Sequence, residues 1–214
     1  MLKQIYDFMD KPHKKKINAQ GVSYDKLLML SLNVYGSFYP KLYLLETTLK
    51  KRLFEVVKNK LGEDWFNIRI NSPVNNSVFK TEADNILRRK PKGFALKDKG
   101  FLVESGLGIW VEFFNRALYK EMKGVPIAIF YELPPNIKRK ELYQKLNSVK
   151  EMRNQLVHNR LLPITEPQHL QIIERLLEAN KDLTDLLQWL GFSKSQLDSR
   201  KFEKGIAAIK KALR

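Results

Sequence analysis

Arg153, Asn154 and His158 fall within one short run, Met152-Arg153-Asn154-Gln155-Leu156-Val157-His158-Asn159-Arg160. Their types are those needed to bind a phosphate and to move a proton without a metal. A guanidinium supplies a permanent charge and a fork of donors, an amide supplies orientation, and an imidazole titrates near neutrality. On a helix all three would lie within about two turns. Arginine followed four to six residues later by histidine arises by chance about once in a chain of this size, so the elements around the trio must decide its meaning.

The helix that carries them is expected to begin around Lys138, with Leu142, Leu146, Val149, Met152 and Leu156 as its apolar stripe. Arg153 projects into or beside that stripe. A guanidinium buried there unpaired costs several kcal/mol, which leaves it three options: a carboxylate partner, a second subunit, or a cleft that admits phosphate. Asn154 and His158, at i,i+4, share a different face. On one straight helix, arginine and histidine therefore diverge by roughly 140°. A second copy of the helix could close that gap. His158 stands near the helix C-terminus, before Pro163, where the helix dipole favours a protonated ring. The alternative is a surface histidine that caps carbonyls, beside an Arg153 held in a structural ion pair. Glu46, on an early helix, is the candidate acidic partner for Arg153 or His158.

The elements that must position these residues read as helices. Ser23 is a plausible cap for a first helical segment. A helix is expected from Pro40, through Leu42, Leu45, Leu49, Leu53, Val56 and Val57, to a stop at Gly62. After a polar stretch through Asn75 and Asn76, a shorter helix runs from Ser77 to about Arg89. The segment from Lys90 to Gly100 reads as a connection, and a third long helix is expected from near Val103 to Met122, with Trp110, Phe113 and Phe114 in the core. Val125 to Tyr131 stays open between an extended piece and a helical turn. Later helices span about Pro167 to Trp189, closed by Gly191, and Ser193 to the C-terminus. One all-α domain over residues 1–214 is the simplest reading.

The 214 residues include 39 Lys or Arg against 23 Asp or Glu, a formal charge of +16. Such an excess draws polyanions and makes nucleic acid the leading partner. Lys50, Lys51, Arg88, Arg89, Lys138, Arg139 and Arg160 are the basic residues placed to track an RNA backbone, if folding gathers them; Lys11 to Lys16 and Lys210-Lys211 add further basic patches. With no cysteine, disulfides, thiolate zinc sites and cysteine nucleophiles are excluded, and His13 and His169 lack neighbours at ligand spacing. No metal and no cofactor is expected. The start of the chain lacks a signal-peptide core and no apolar run reaches the roughly 20 residues that span a bilayer, so a cytoplasmic protein without a membrane role is expected. Phosphate-cradling glycine loops, nucleophile elbows and dinucleotide fingerprints are absent from the sequence.

Arg153-Asn154-Gln155-Leu156-Val157-His158 resembles the Arg-Asn-x-x-x-His signature of HEPN domains. Leu45-Glu46-Thr47-Thr48-Leu49-Lys50, Leu61-Gly62-Glu63-Asp64-Trp65-Phe66 and Gly108-Ile109-Trp110-Val111 are similar, in the same order, to motifs of the bacterial abortive-infection (Abi-like) branch. The resemblance is strongest over residues 24–190, with 191–214 as a helical extension. It implies a HEPN-like helical bundle with additional flanking helices, in which two protomers set their motif helices against each other around one RNA-cleaving cleft. It further implies metal-independent cleavage by the ribose 2′-hydroxyl, leaving a 2′,3′-cyclic phosphate and a 5′-hydroxyl. His158 would be the general acid/base, Arg153 would stabilise the phosphorane and Asn154 would orient the histidine or the phosphate. Relatives of this kind serve phage defence or act as toxins, some with a neutralising antitoxin protein or RNA. Where Abi-like members carry a second histidine and a glutamate after the motif, this chain has Asn159 and Arg160, and Gln155 stands where arginine is frequent. The alternative function is a non-catalytic RNA-binding or protein-interaction module.

Overall fold

A proline in the middle of a helix removes one backbone donor and crowds the carbonyl four residues back. Even so, Pro40 does not begin a helix here. In the computed structural model, which describes residues 24–71, 77–157 and 169–213, it lies inside α1 (Tyr24–Leu61), a single helix of 38 residues. The residue four back is Gly36, which is exposed, so the carbonyl left without its donor faces the solvent side of the helix. The buried run Val34, Tyr35, Phe38, Leu42, Leu45, Leu49 and Leu53 then continues across the proline without a change of face. Tertiary packing of that stripe outweighs the lost hydrogen bond.

The remaining elements are α2 (Trp65–Ile70), α3 (Val78–Leu87), α4 (Asp98–Glu104), α5 (Leu107–Glu112), α6 (Arg116–Glu121), a 3₁₀ turn (Val125–Ile129), α7 (Arg139–Val157), α8 (His169–Trp189), a second 3₁₀ turn (Lys194–Gln196) and α9 (Arg200–Ala212). The described residues are thus all-α, with no strand. The expected cap at Ser23, the basic patch at 11–16, the polar stretch at Asn75 and Asn76, and residues His158, Arg160, Pro163 and Pro167 lie outside them.

The long helix expected over Val103 to Met122 is instead three short ones, α4 to α6. Two polar residues break it. Ser105 takes an extended conformation (φ −71°, ψ 145°) and accepts a 2.9 Å hydrogen bond from the Trp110 indole, while the next backbone N–H, of Gly106, donates to Glu82 Oε1 at 2.8 Å. Asn115, also extended, accepts from the Ala117 N–H and caps α6. The first break gives the buried Trp110 indole an acceptor, and the second gives α6 its N-terminal cap. The folded-back segments bring Trp110, Phe113, Phe66, Phe79 and Phe101 into one aromatic cluster, with Trp110 stacked on Phe113 at 5.3 Å. The 125–131 stretch resolves as a 3₁₀ turn.

About 57 Å long by its residue count, α1 is the spine against which α2, α4, α5, the first 3₁₀ turn, α8 and α9 pack, and α7 lies between α8 and α5. Stops expected from glycine hold: Gly62 (φ 114°) and Gly191 (φ 90°) adopt the left-handed conformation that ends α1 and α8. One apolar cluster runs through nearly every element. Where α9 crosses α1, Gly205 makes the approach possible, since a Cβ there would lie 2.6 Å from Val34 Cγ2. Phe202 meets Phe38 edge-on at 5.1 Å in the same contact.

A buried lysine ties the spine to both C-terminal helices. Lys41 Nζ donates to Asn180 Oδ1 (3.1 Å), Thr184 Oγ1 (3.3 Å) and Ser199 Oγ (2.6 Å). Burial pushes its pKa down, opposed by the more distant charges of Asp198 and Glu203.

Candidate functional site

α7 forms where the sequence placed it. Its start is secured by Glu141, whose carboxylate accepts from the Lys138 N–H at 3.2 Å, and by Arg139, which donates to the Phe114 carbonyl at 2.8 Å. Leu142, Leu146, Val149, Met152 and Leu156 are all buried. Side contacts then fix the helix against both neighbours. Lys145 binds Asp182 (2.5 Å) and Asp185 (3.1 Å) of α8, and Glu112 of α5 meets Tyr143 Oη (3.4 Å) and Lys150 (3.8 Å). The helix is therefore held in rotation, and so are the residues of its last turn.

At 100° per residue Arg153 falls inside the arc swept by the five buried apolar residues. It is half-buried there. Among the described residues it forms no ion pair, and its bond is Nη1 to Asn154 Oδ1 at 3.3 Å, a neutral partner at the long end of hydrogen-bonding range. Asn154 itself is exposed. With no carboxylate beside it among the described residues, the Arg153 guanidinium carries uncompensated positive charge, and an anion that reaches it gains both charge and a fork of donors. The structural ion pair that the alternative reading required of Arg153 is absent among the described residues. His158 and Arg160 lie outside those residues, one and three positions past the end of α7.

Among the described residues of one chain, Glu46 is not paired with Arg153. It sits half-buried on α1 and pairs with Lys50, one turn on, at 2.8 Å. Both line a groove of about 840 Å³ between α1 and α4, together with Lys51, Phe54, Tyr43 and Val103. Tyr43 and Val103 are 70% and 74% exposed, so the groove has an open apolar rim that the helical pattern alone did not single out.

The other basic candidates do not converge on Arg153. Arg88 and Arg89 are exposed at the end of α3, bonded to the Asn85 side chain and carbonyl respectively. Lys138 is exposed and donates to the Pro135 carbonyl at 2.9 Å, and the guanidinium of Arg139 is engaged with Phe114. These two begin α7, and Arg153 lies near its other end, roughly 21 Å away along the axis.

Gln155, which entered the sequence reading only as a departure from a motif, faces a second opening. A polar cleft of about 370 Å³ between α7 and α8 is lined by Ser148, Glu151, Met152, Gln155, Arg175 and Glu178. The Gln155 amide oxygen is buried without a partner among the described residues, as is that of Asn147. Helical spacing gave a signal for this, since Ser148, Glu151 and Gln155 form a polar i,i+3,i+7 row in an otherwise apolar-striped helix.

Among the described residues no group of three or more His, Cys, Asp or Glu side chains is gathered as metal ligands, and no helix is long and apolar enough to cross a membrane. No family model, curated protein or solved structure matches this chain.

Proposed function

We propose that this chain is a metal-independent endoribonuclease of the HEPN, Abi-like type, acting as a homodimer on RNA. The observation that carries the reading is Arg153: half-buried, inside the apolar arc of α7, and without an acidic partner among the described residues. A cation in that position, free of a carboxylate, is available where a phosphate must be held. The order of motifs along the sequence and the charge of +16 support the same substrate.

In the proposed reaction His158 accepts the proton of a ribose 2′-hydroxyl as its oxygen attacks the adjacent phosphorus. The bond from phosphorus to the 5′-oxygen breaks, that oxygen takes up a proton returned by the imidazolium, and the products are a 2′,3′-cyclic phosphate and a 5′-hydroxyl. Arg153 stabilises the charge that accumulates on the phosphoryl oxygens, and Asn154 orients the histidine or the phosphate. On a continuous helix Arg153 and His158 would diverge by roughly 140°, so the proposed site draws these groups from two copies of the motif segment. Its cellular role would be growth arrest in phage defence or as a toxin, restrained by an antitoxin protein or RNA.

The test compares the purified protein with its His158→Ala variant on RNA in EDTA. Cleavage by the wild type, with cyclic-phosphate ends, and its loss in the variant are expected. Equal cutting by both would remove His158 from the chemistry. The second reading, a non-catalytic RNA-binding module, is favoured by Arg88, Arg89 and Lys138, exposed cations that form no ion pair among the described residues. It requires salt-sensitive binding that survives His158→Ala while no new RNA ends form.

A further inference from the structure

We infer that the outer face of α9 is a docking strip for the phosphodiester backbone of an RNA strand, separate from the Arg153 helix. Naming RNA as the polyanion rests on the proposed function; the strip itself rests on how α9 is built. Five cations and one carboxylate, Glu203, are distributed over Arg200–Ala212. Phe202, Ile206 and Ile209 are buried against the body of the protein. Opposite them, Arg200, Lys204 and Lys211 lie within about 30° of the outward direction, with Lys201 about 75° to one side and Lys210 at the margin of the face, about 105° to the other. All five are exposed.

Arg200 is neutralised in place, holding both oxygens of Asp198 at 2.8–3.0 Å. The four lysines have no ion pair among the described residues. Such a row of unpaired ammonium groups repels itself, and a polyanion laid along it relieves that repulsion and releases its own counterions. Ala207, exposed between Lys204 and Lys211, gives a strand room to lie close to the helix over the roughly 10 Å that separates the two lysines.

The chemistry of the face selects among anionic partners. A helix that binds at a lipid surface needs apolar side chains free to enter the bilayer. The large apolar side chains of α9, Phe202, Ile206 and Ile209, all point inward, and the Gly205–Val34 approach locks them there. Base-specific recognition needs amide, carboxylate or aromatic groups on the same face. The outward row offers ammonium groups and alanine, so the contact is to backbone and independent of sequence.

The experiment uses a fluorescent single-stranded 2′-O-methyl RNA, which has no attacking hydroxyl, so that binding is read whether or not the protein is a nuclease. Anisotropy is measured across a salt series for the full chain, for the quadruple variant K201Q/K204Q/K210Q/K211Q, and for a charge-matched control, K60Q/K92Q/K97Q/K123Q, altered at exposed lysines elsewhere. Glutamine and lysine have similar helix propensity, so α9 should persist. Circular dichroism checks this, and the double variant K204Q/K211Q repeats the test with a smaller change. The slope of log affinity against log salt is expected to become shallower by about 2 to 3 in the α9 variant, with at least about a tenfold loss of affinity at moderate salt, and by clearly less in the control. Equal effects in both quadruple variants, or none in either, would overturn the strip. So would α9 changes that abolish binding to phosphatidylserine vesicles while leaving RNA affinity intact.

Discussion

Arg153 gains its meaning from what does not surround it. A lysine in a comparable position, Lys145, is met by two carboxylates of α8, whereas Arg153 has only the Asn154 amide among the described residues. This difference can be read out as stability. Arg153→Met keeps the length and apolar stem of the side chain while deleting the charge. Unfolding by denaturant should give a stability within about 1 kcal/mol of the wild type, or above it, because no partner is left stranded. A loss of about 3–5 kcal/mol, the cost of breaking a buried ion pair, would instead make Arg153 a structural residue. The helix that carries Arg153 and Asn154 was legible from its apolar spacing. The identity of the Glu46 partner was not, because an i,i+4 lysine on the same helix competes for every glutamate and sequence alone does not rank the two.

At the scale of elements, apolar periodicity located α7, α8 and the core aromatics, and glycine located the ends of α1 and α8. It failed where a polar residue inside a periodic stretch had a use for an extended conformation. Ser105 bonds the Trp110 indole and Asn115 caps α6, and neither bond is visible before the chain folds back. Pro40 misled in the opposite sense, being absorbed by a helix whose buried stripe runs through it. The docking of α9 was illegible for a similar reason: Gly205 is a weak helix residue until Val34 is found 2.6 Å from its absent Cβ. Gly205→Ala should therefore destabilise by about 1–3 kcal/mol, despite the gain of up to about 1 kcal/mol in helix propensity, and should lower the melting temperature. A rise in melting temperature would show that α9 does not sit on Val34. The start of α9 also has an acid limit. The Arg200 side chain, helped by its backbone N–H, holds the Asp198 carboxyl down at about 2, below its ordinary 3.8. With the folded value depressed, the contribution is complete above the unfolded value and is lost as pH falls through about 2. Asp198→Asn should flatten the acid decline of stability in the window between those two values, and an unchanged acid profile would place the carboxylate away from Arg200.

For the whole molecule, the charge of +16 and the all-helical architecture were both available from composition and periodicity, and the long spine explains how one apolar cluster serves so many short elements. A continuous helix through the motif would turn Arg153 and His158 roughly 140° apart, which is why the proposed site draws on two copies of the chain. The account therefore requires assembly before chemistry. Single-turnover cleavage of a labelled RNA in EDTA, followed over a protein dilution series alongside sedimentation of the same samples, measures that requirement directly. The rate should rise and fall with the fraction of dimer, and each cut should leave a 2′,3′-cyclic phosphate. Cleavage that persists unchanged in the monomer, or intact RNA where the protein is fully dimeric, would contradict the two-copy active site.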